Sequence, residues 1–69
     1  MKRYVVQFDF DAEGEPPNVE IHDGDYTVAE VFEEPTCTHP SGWSWEAEDW
    51  APGPFATRML DLLNTAPGP

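Results

Sequence analysis

Cys37 and His39 place a thiol and an imidazole two residues apart, a spacing that raises the question of nucleophilic chemistry. A cysteine attacks as its thiolate, which nearby positive charge favours. Here Glu33 and Glu34 lie just upstream. The sequence therefore predicts a less reactive thiol, in a loop and without a catalytic task. His22, Asp23 and Asp25 form a second cluster, and with Cys37 and His39 they hold the donor types of a mixed metal site. The spaced oxygens and closing glutamate of a calcium loop are missing, and Asp23-Gly24 already reads as a turn. No specific metal and no cofactor is expected.

Carboxylates are the most abundant reactive groups. Asp9 with Asp11, Glu13 with Glu15, and Glu46 with Glu48 are pairs two positions apart. On an extended strand such pairs share a face at a spacing of about 6.6–6.8 Å. Acid–base catalysis needs opposed carboxyl groups in a cleft, one with a raised pKa. A small sheet with one helix has little room for that, so the chain reads as non-enzymatic. Rows of carboxylates on a rigid sheet can instead imitate the phosphates of a nucleic acid.

Trp43, Trp45 and Trp50 crowd into one short segment. Large side chains are what a small domain uses to build a core, so Trp43 and Trp45 are expected under the helix. Trp50 falls outside the local alternation and is the expected exposed anchor, since tryptophan is enriched at interface hot spots. An aromatic, acidic cage for a methylated lysine is a more remote option.

The chain has 69 residues, 14 of them acidic and three basic, for a net charge of -11. The length allows one domain with a thin core. The charge excludes a protein that binds nucleic acid directly, and it opposes docking on an anionic membrane. Lys2, Arg3 and Arg58 are the only basic residues, and every carboxylate except Asp61 lies in the stretch between Arg3 and Arg58. Few internal ion pairs are available, so most carboxylates face water or a partner. Solubility alone explains acids on the strand faces but not the lack of lysine there. Adaptation to high salt is a further explanation of such a balance. The single cysteine permits no internal disulfide. With no apolar leader or membrane-spanning run in the sequence, a cytoplasmic protein with reduced Cys37 is expected.

These residues need elements to position them. Tyr4, Val6, Phe8 and Phe10 alternate with polar or smaller residues and predict a first strand with its aromatic face inward. Residues 11–17, rich in acids, glycine and proline, predict a loop. Asp23-Gly24 predicts a type I′ hairpin turn, which pairs Ile21 with Tyr26 and Val19 with Val28 on one face. A helix over 26–34 is the rival, since Thr27 with Glu30 fits a capping box and Tyr26 with Val31 a hydrophobic staple. Residues 35–42 predict a loop, 43–48 a strand and 50–53 a turn. Pro54, following Gly53 as cap, predicts a helix over 54–63 with Phe55, Met59, Leu62 and Leu63 on its apolar face. Asn64 ends it, and 65–69 form a frayed tail behind a single domain over 1–64. The fold class is α+β: three or four antiparallel strands in a meander, covered by one C-terminal helix.

The expected function is a binding module for the basic surface of another protein, of the nucleic-acid-binding kind, acting as nucleic-acid mimic or inhibitor. Small anti-defence inhibitors offer an analogy of size and charge. Asp9, Asp11, Glu20, Glu46, Glu48 and Asp49 are the expected contact residues, with Trp50 as apolar anchor. The alternative is a small structural or assembly subunit that associates through its tryptophan-rich surface.

Overall fold

The computed structural model describes residues 3–39 and 41–66. Three strands, β1 (Tyr4–Asp9), β2 (Asn18–Asp23) and β3 (Tyr26–Val31), form an antiparallel meander in the order β1-β2-β3. β1 behaves as its alternation dictates. Tyr4, Val6 and Phe8 turn inward, while Val5 and Gln7 stay exposed. Its register against β2 runs without interruption from Tyr4 opposite Asp23 to Asp9 opposite Asn18. Short strands β4 (Cys37–Thr38) and β5 (Ala51–Pro52) pair antiparallel as a second, two-stranded sheet. The one α-helix among the described residues, α1 (Pro54–Thr65), lies over the inner face of the meander.

The core lies between β2 and α1. Val19, Ile21, Val31 and Ala56 are buried, with Ile21 at 0% exposure. Tyr4, Val6, Phe8, Ala29, Met59, Leu60 and Leu63 pack around them. The helix therefore turns Ala56, Met59, Leu60 and Leu63 to the sheet, a stripe with spacings of three, one and three. The expected face over Phe55 and Leu62 is corrected: both are exposed. The buried stripe is as wide as the expected one but rotated by about 60° around the helix, toward Ala56 and Leu60, and small Ala56 lets the helix settle against the strands. The helix also runs past its expected end. Asn64 lies within it and Thr65 closes it, while 67–69 fall outside the described residues.

The hairpin forms, but not in the expected register. The turn residues are Gly24 and Asp25, with Asp23 opposite Tyr26. A type I′ turn on Asp23-Gly24 would need positive φ at the aspartate. Here Gly24 takes φ 62° and no other residue type has positive φ among the described residues, which is the type II′ solution with glycine first. A bulge then leaves Val28 unpaired between Thr27, opposite His22, and Ala29, opposite Ile21. Continued without a bulge, this register would set Glu30 opposite Val19 on the core face. The extra residue turns Glu30 outward and sinks Val31 to 4% exposure. Tyr26, expected against Ile21, is 79% exposed instead. The rival helix over 26–34 is absent, and β3 takes its place.

Residues 43–48 do not form the expected strand. They run irregularly into a 3₁₀ turn, Ala47–Asp49, and residues 51–52, expected in a turn, form β5. No helix among the described residues is long and apolar enough to cross a membrane.

Candidate functional site

The register fixes which loops share an end. β1 finishes, β2 begins and β3 finishes at the same edge, since Asp9 faces Asn18 and Val19 faces Val31. Asp9 and Asp11, Glu13 and Glu15 in the first loop, and Glu33 and Glu34 after β3 therefore leave the sheet together. Phe10 follows Asp9 directly and becomes the hub of an aromatic cluster. Its ring centroid lies 5.7 Å from Trp45, 6.0 Å from Trp50 and 6.5 Å from Trp43. That contact brings the segment carrying Glu46, Glu48 and Asp49 to the same end. Nine of the 14 carboxylates are thus gathered at one end of a molecule 42 Å long and about half as wide.

Ser44 shapes the tryptophan segment. Its hydroxyl accepts the Glu46 N–H at 3.0 Å and donates to the Asp49 carboxylate at 2.6 Å. Its carbonyl accepts the Trp50 indole N–H at 3.0 Å. The Asp49 and Trp50 N–H groups close the 3₁₀ turn on the carbonyls of Glu46 and Ala47, both at 3.1 Å. A serine that bonds the backbone two residues on favours a turn over a strand. This overrides the alternation of Trp43, Trp45 and Ala47. The loop is small, yet its polar groups are tied to one another, so Trp43 and Trp45 are held rather than loose.

The tryptophans are placed differently from expectation. Trp43 and Trp45 lie outside the core under the helix, at 36% and 53% exposure. Trp50 is the best buried of the three, with its indole N–H satisfied and its ring 4.5 Å from His39. Position, not size, decides this: β4 and β5 bring residues 37–39 and 51–52 together, and Trp50 falls inside that closure.

Asp9, Asp11, Glu46, Glu48, Asp49 and Trp50 are brought to one end; Glu20 is not. Glu20 sits mid-sheet in β2, between the inward-facing Val19 and Ile21, and so points to the outer face. It lies opposite Gln7 and Glu30, and its carboxylate meets His22 Nε2 at 2.8 Å. Asp11 accepts from the Asn18 side-chain amide, and Asp9 from Gln7 Nε2 at 3.4 Å. The regular rows are also corrected. Glu46 and Glu48 flank a 3₁₀ turn and Glu13 and Glu15 lie in a loop, so neither pair has strand spacing. The surface is a loop-borne acidic patch, not a ladder at phosphate intervals. Ser44, Phe10 and the pairs Glu13/Glu15 and Glu33/Glu34 belong to it and were outside the expected set. The serine two residues before Glu46 was the readable signal for the turn; the gathering of distant acids follows only from topology.

The two clusters of potential ligands stay apart. Asp23 is held by Arg3, Nη2 to Oδ2 at 2.8 Å, and His22 by Glu20 and Thr27, all toward the hairpin. Cys37 sits at the other end, its Sγ 4.0 Å from the Pro17 carbonyl. No three His, Cys, Asp or Glu side chains converge on a metal position among the described residues. Burial pushes the Cys37 thiol up, and Glu34 adds to the shift against the hydrogen bond from Thr36. At neutral pH the folded protein should therefore react with iodoacetamide more slowly than an unstructured cysteine peptide. Urea should restore the peptide's rate; equal rates in the folded state would show an accessible, ordinary thiol. No protein-family model, no curated protein and no solved structure matches the chain.

Proposed function

We propose that this chain is a non-enzymatic acidic binding module. It docks on a basic surface of another protein, of the kind that binds nucleic acid, and competes with that nucleic acid for the surface. The observation that carries this reading is the gathering of nine carboxylates at the end of the sheet that also carries partly exposed tryptophans, on a stretch of chain that holds no lysine or arginine between Arg3 and Arg58. Because the patch is loop-borne, it acts by local potential and shape, without matching phosphate positions one by one. Complementary charge of this kind speeds encounter and sets orientation. In this reading the module works in the cytoplasm, where its partners would be found. Self-association through the tryptophans is the second reading, supported by the exposure of Trp45. Two copies of a chain with charge -11 repel, which weighs against it.

The test uses a partner captured from native lysate at low salt and released in a salt gradient. Exchange of Glu46→Gln, Glu48→Gln and Asp49→Asn removes three charges with little change of shape. The amide oxygen introduced by Asp49→Asn can still accept from Ser44. Melting temperature should stay level or rise, since like charges are relieved. Affinity should fall roughly tenfold at low salt, at up to about 1 kcal/mol for each exposed pair lost. The difference should shrink as salt screens the remaining charges. An unchanged affinity would mean that this segment only keeps the protein soluble. A fall in melting temperature would mean that the carboxylates hold the loop together.

A further inference from the structure

We infer that the surface formed by Trp43 and Trp45 takes arginine side chains of the partner, the indole rings stacking on the guanidinium while the neighbouring carboxylates bond its edge. This rests on the docking reading above and names the chemistry that the docking end selects.

Tryptophan at 36% and 53% exposure leaves a large apolar surface in water. Such surface on a small soluble domain marks an interaction site when it is rigid and bordered by polar groups. Both conditions hold. Trp43 and Trp45 meet at 5.7 Å with their planes at 78°, and both lean on Phe10. Trp43 also contacts Trp50 at 5.3 Å, and Trp50 is fastened through Ser44. Glu46 follows Trp45 directly, Glu48 lies two positions further on, and both are exposed.

The ring separations choose between kinds of cation. An aromatic cage for a quaternary ammonium needs rings held apart by the width of the guest. Centroids at 5.3–6.5 Å are contact distances between the rings themselves. No guest fits between them. What remains is the outer surface of an assembled aromatic block, which suits a flat cation lying against a ring. A guanidinium is planar, weakly hydrated and able to fork two N–H groups onto a carboxylate; an ammonium is a hydrated point charge with none of these features.

The molecule already holds one such arrangement. The Arg3 guanidinium lies 5.3 Å from the centre of the Tyr4 ring and bonds Asp23 through both Nε and Nη2. Among the described residues neither arginine stacks on these tryptophans: Arg3 is engaged at the hairpin, and Arg58 on α1 makes no cation–π contact. In this reading the cation comes from a partner, and the surrounding negative charge favours one that carries several.

The experiment follows tryptophan emission of the full chain titrated with two peptides, one Gly-Arg repeat and the same repeat with lysine at every arginine. Both should bind at low salt. The arginine peptide should bind about fivefold tighter, the range of one exposed cation–π contact, and should keep that lead at molar salt. Trp45→Ala, checked for an unchanged melting temperature, should remove the preference while leaving the lysine peptide's affinity in place. Equal affinity for the two peptides in the unmodified chain would overturn the inference and leave acidic docking standing. A preference that survives in both Trp45→Ala and Trp43→Ala would also overturn it, by taking the preference away from these rings. Failure of both peptides to bind at low salt would overturn the docking reading as well.

Discussion

Gly53→Ala should detach α1 from the rest of the fold. A methyl group on Gly53 would lie 1.8 Å from the Pro35 carbonyl oxygen, 2.9 Å from its carbon and 3.0 Å from that of Thr36. All three are backbone atoms, so no side chain can rotate away. The φ of -67° suits alanine, so the cost is steric and not conformational. The close approach is enforced from both sides. Gly53 N–H donates to the Thr36 carbonyl at 2.8 Å, and Pro52 pairs with Cys37. Beyond it, the Gly53 carbonyl accepts the Thr57 N–H and hydroxyl, both at 2.9 Å, as the cap of the helix. Overpacking against mobile side chains costs about 1–3 kcal/mol; against two fixed peptide groups the cost should reach about 3 kcal/mol or more. A domain of this length has only about 3–10 kcal/mol in total. The expected result is a urea midpoint lowered by most of its value, with loss of the helical circular dichroism signal. A change of less than about 1 kcal/mol would show that the segment 35–36 moves freely from the helix start.

Ile21→Ala should be as damaging by the opposite route. Ile21 is the one large side chain fully buried among the described residues, on the central strand beneath α1. Its loss removes transfer energy and leaves a cavity, together worth about 2–5 kcal/mol. Among the described residues the buried core cluster holds just Val19, Val31 and Ala56 beside it, so few neighbours can collapse into the gap. Phe32→Ala, at a larger but exposed side chain, should change stability by less than about 0.5 kcal/mol. If both variants melt together near the parent temperature, the centre of the core lies elsewhere.

Much of this architecture can be read from the chain. β1 follows from period-two alternation, the start of α1 from Pro54 after Gly53, and the hairpin from Gly24. What could not be read depends on choices between neighbours. Asp23-Gly24 and Gly24-Asp25 are both acceptable turns. The bulge at Val28 is decided by keeping Glu30 out of the core, which requires knowing that Val19 is buried. The segment 43–48 alternates like a strand, but Ser44 bonds its own loop more readily than a neighbouring strand would. The acids of the candidate site are plain in the sequence. Their assembly is not, because Glu33, Glu46 and Asp9 meet only through the meander and the contact of Phe10 with the tryptophans.

The Asn64 side chain accepts the Tyr4 N–H at 2.9 Å and donates to the Tyr4 carbonyl at 3.0 Å. One amide thus occupies the two main-chain groups that a further strand would need at that point of β1. The opposite margin, β3, is interrupted by the bulge at Val28 and carries Glu30. The two borders of the meander are therefore discouraged from templating another chain by different means, one plugged and one crooked and charged. For a domain whose core is this thin, such borders favour reclosure over polymerisation into fibrils whenever it opens.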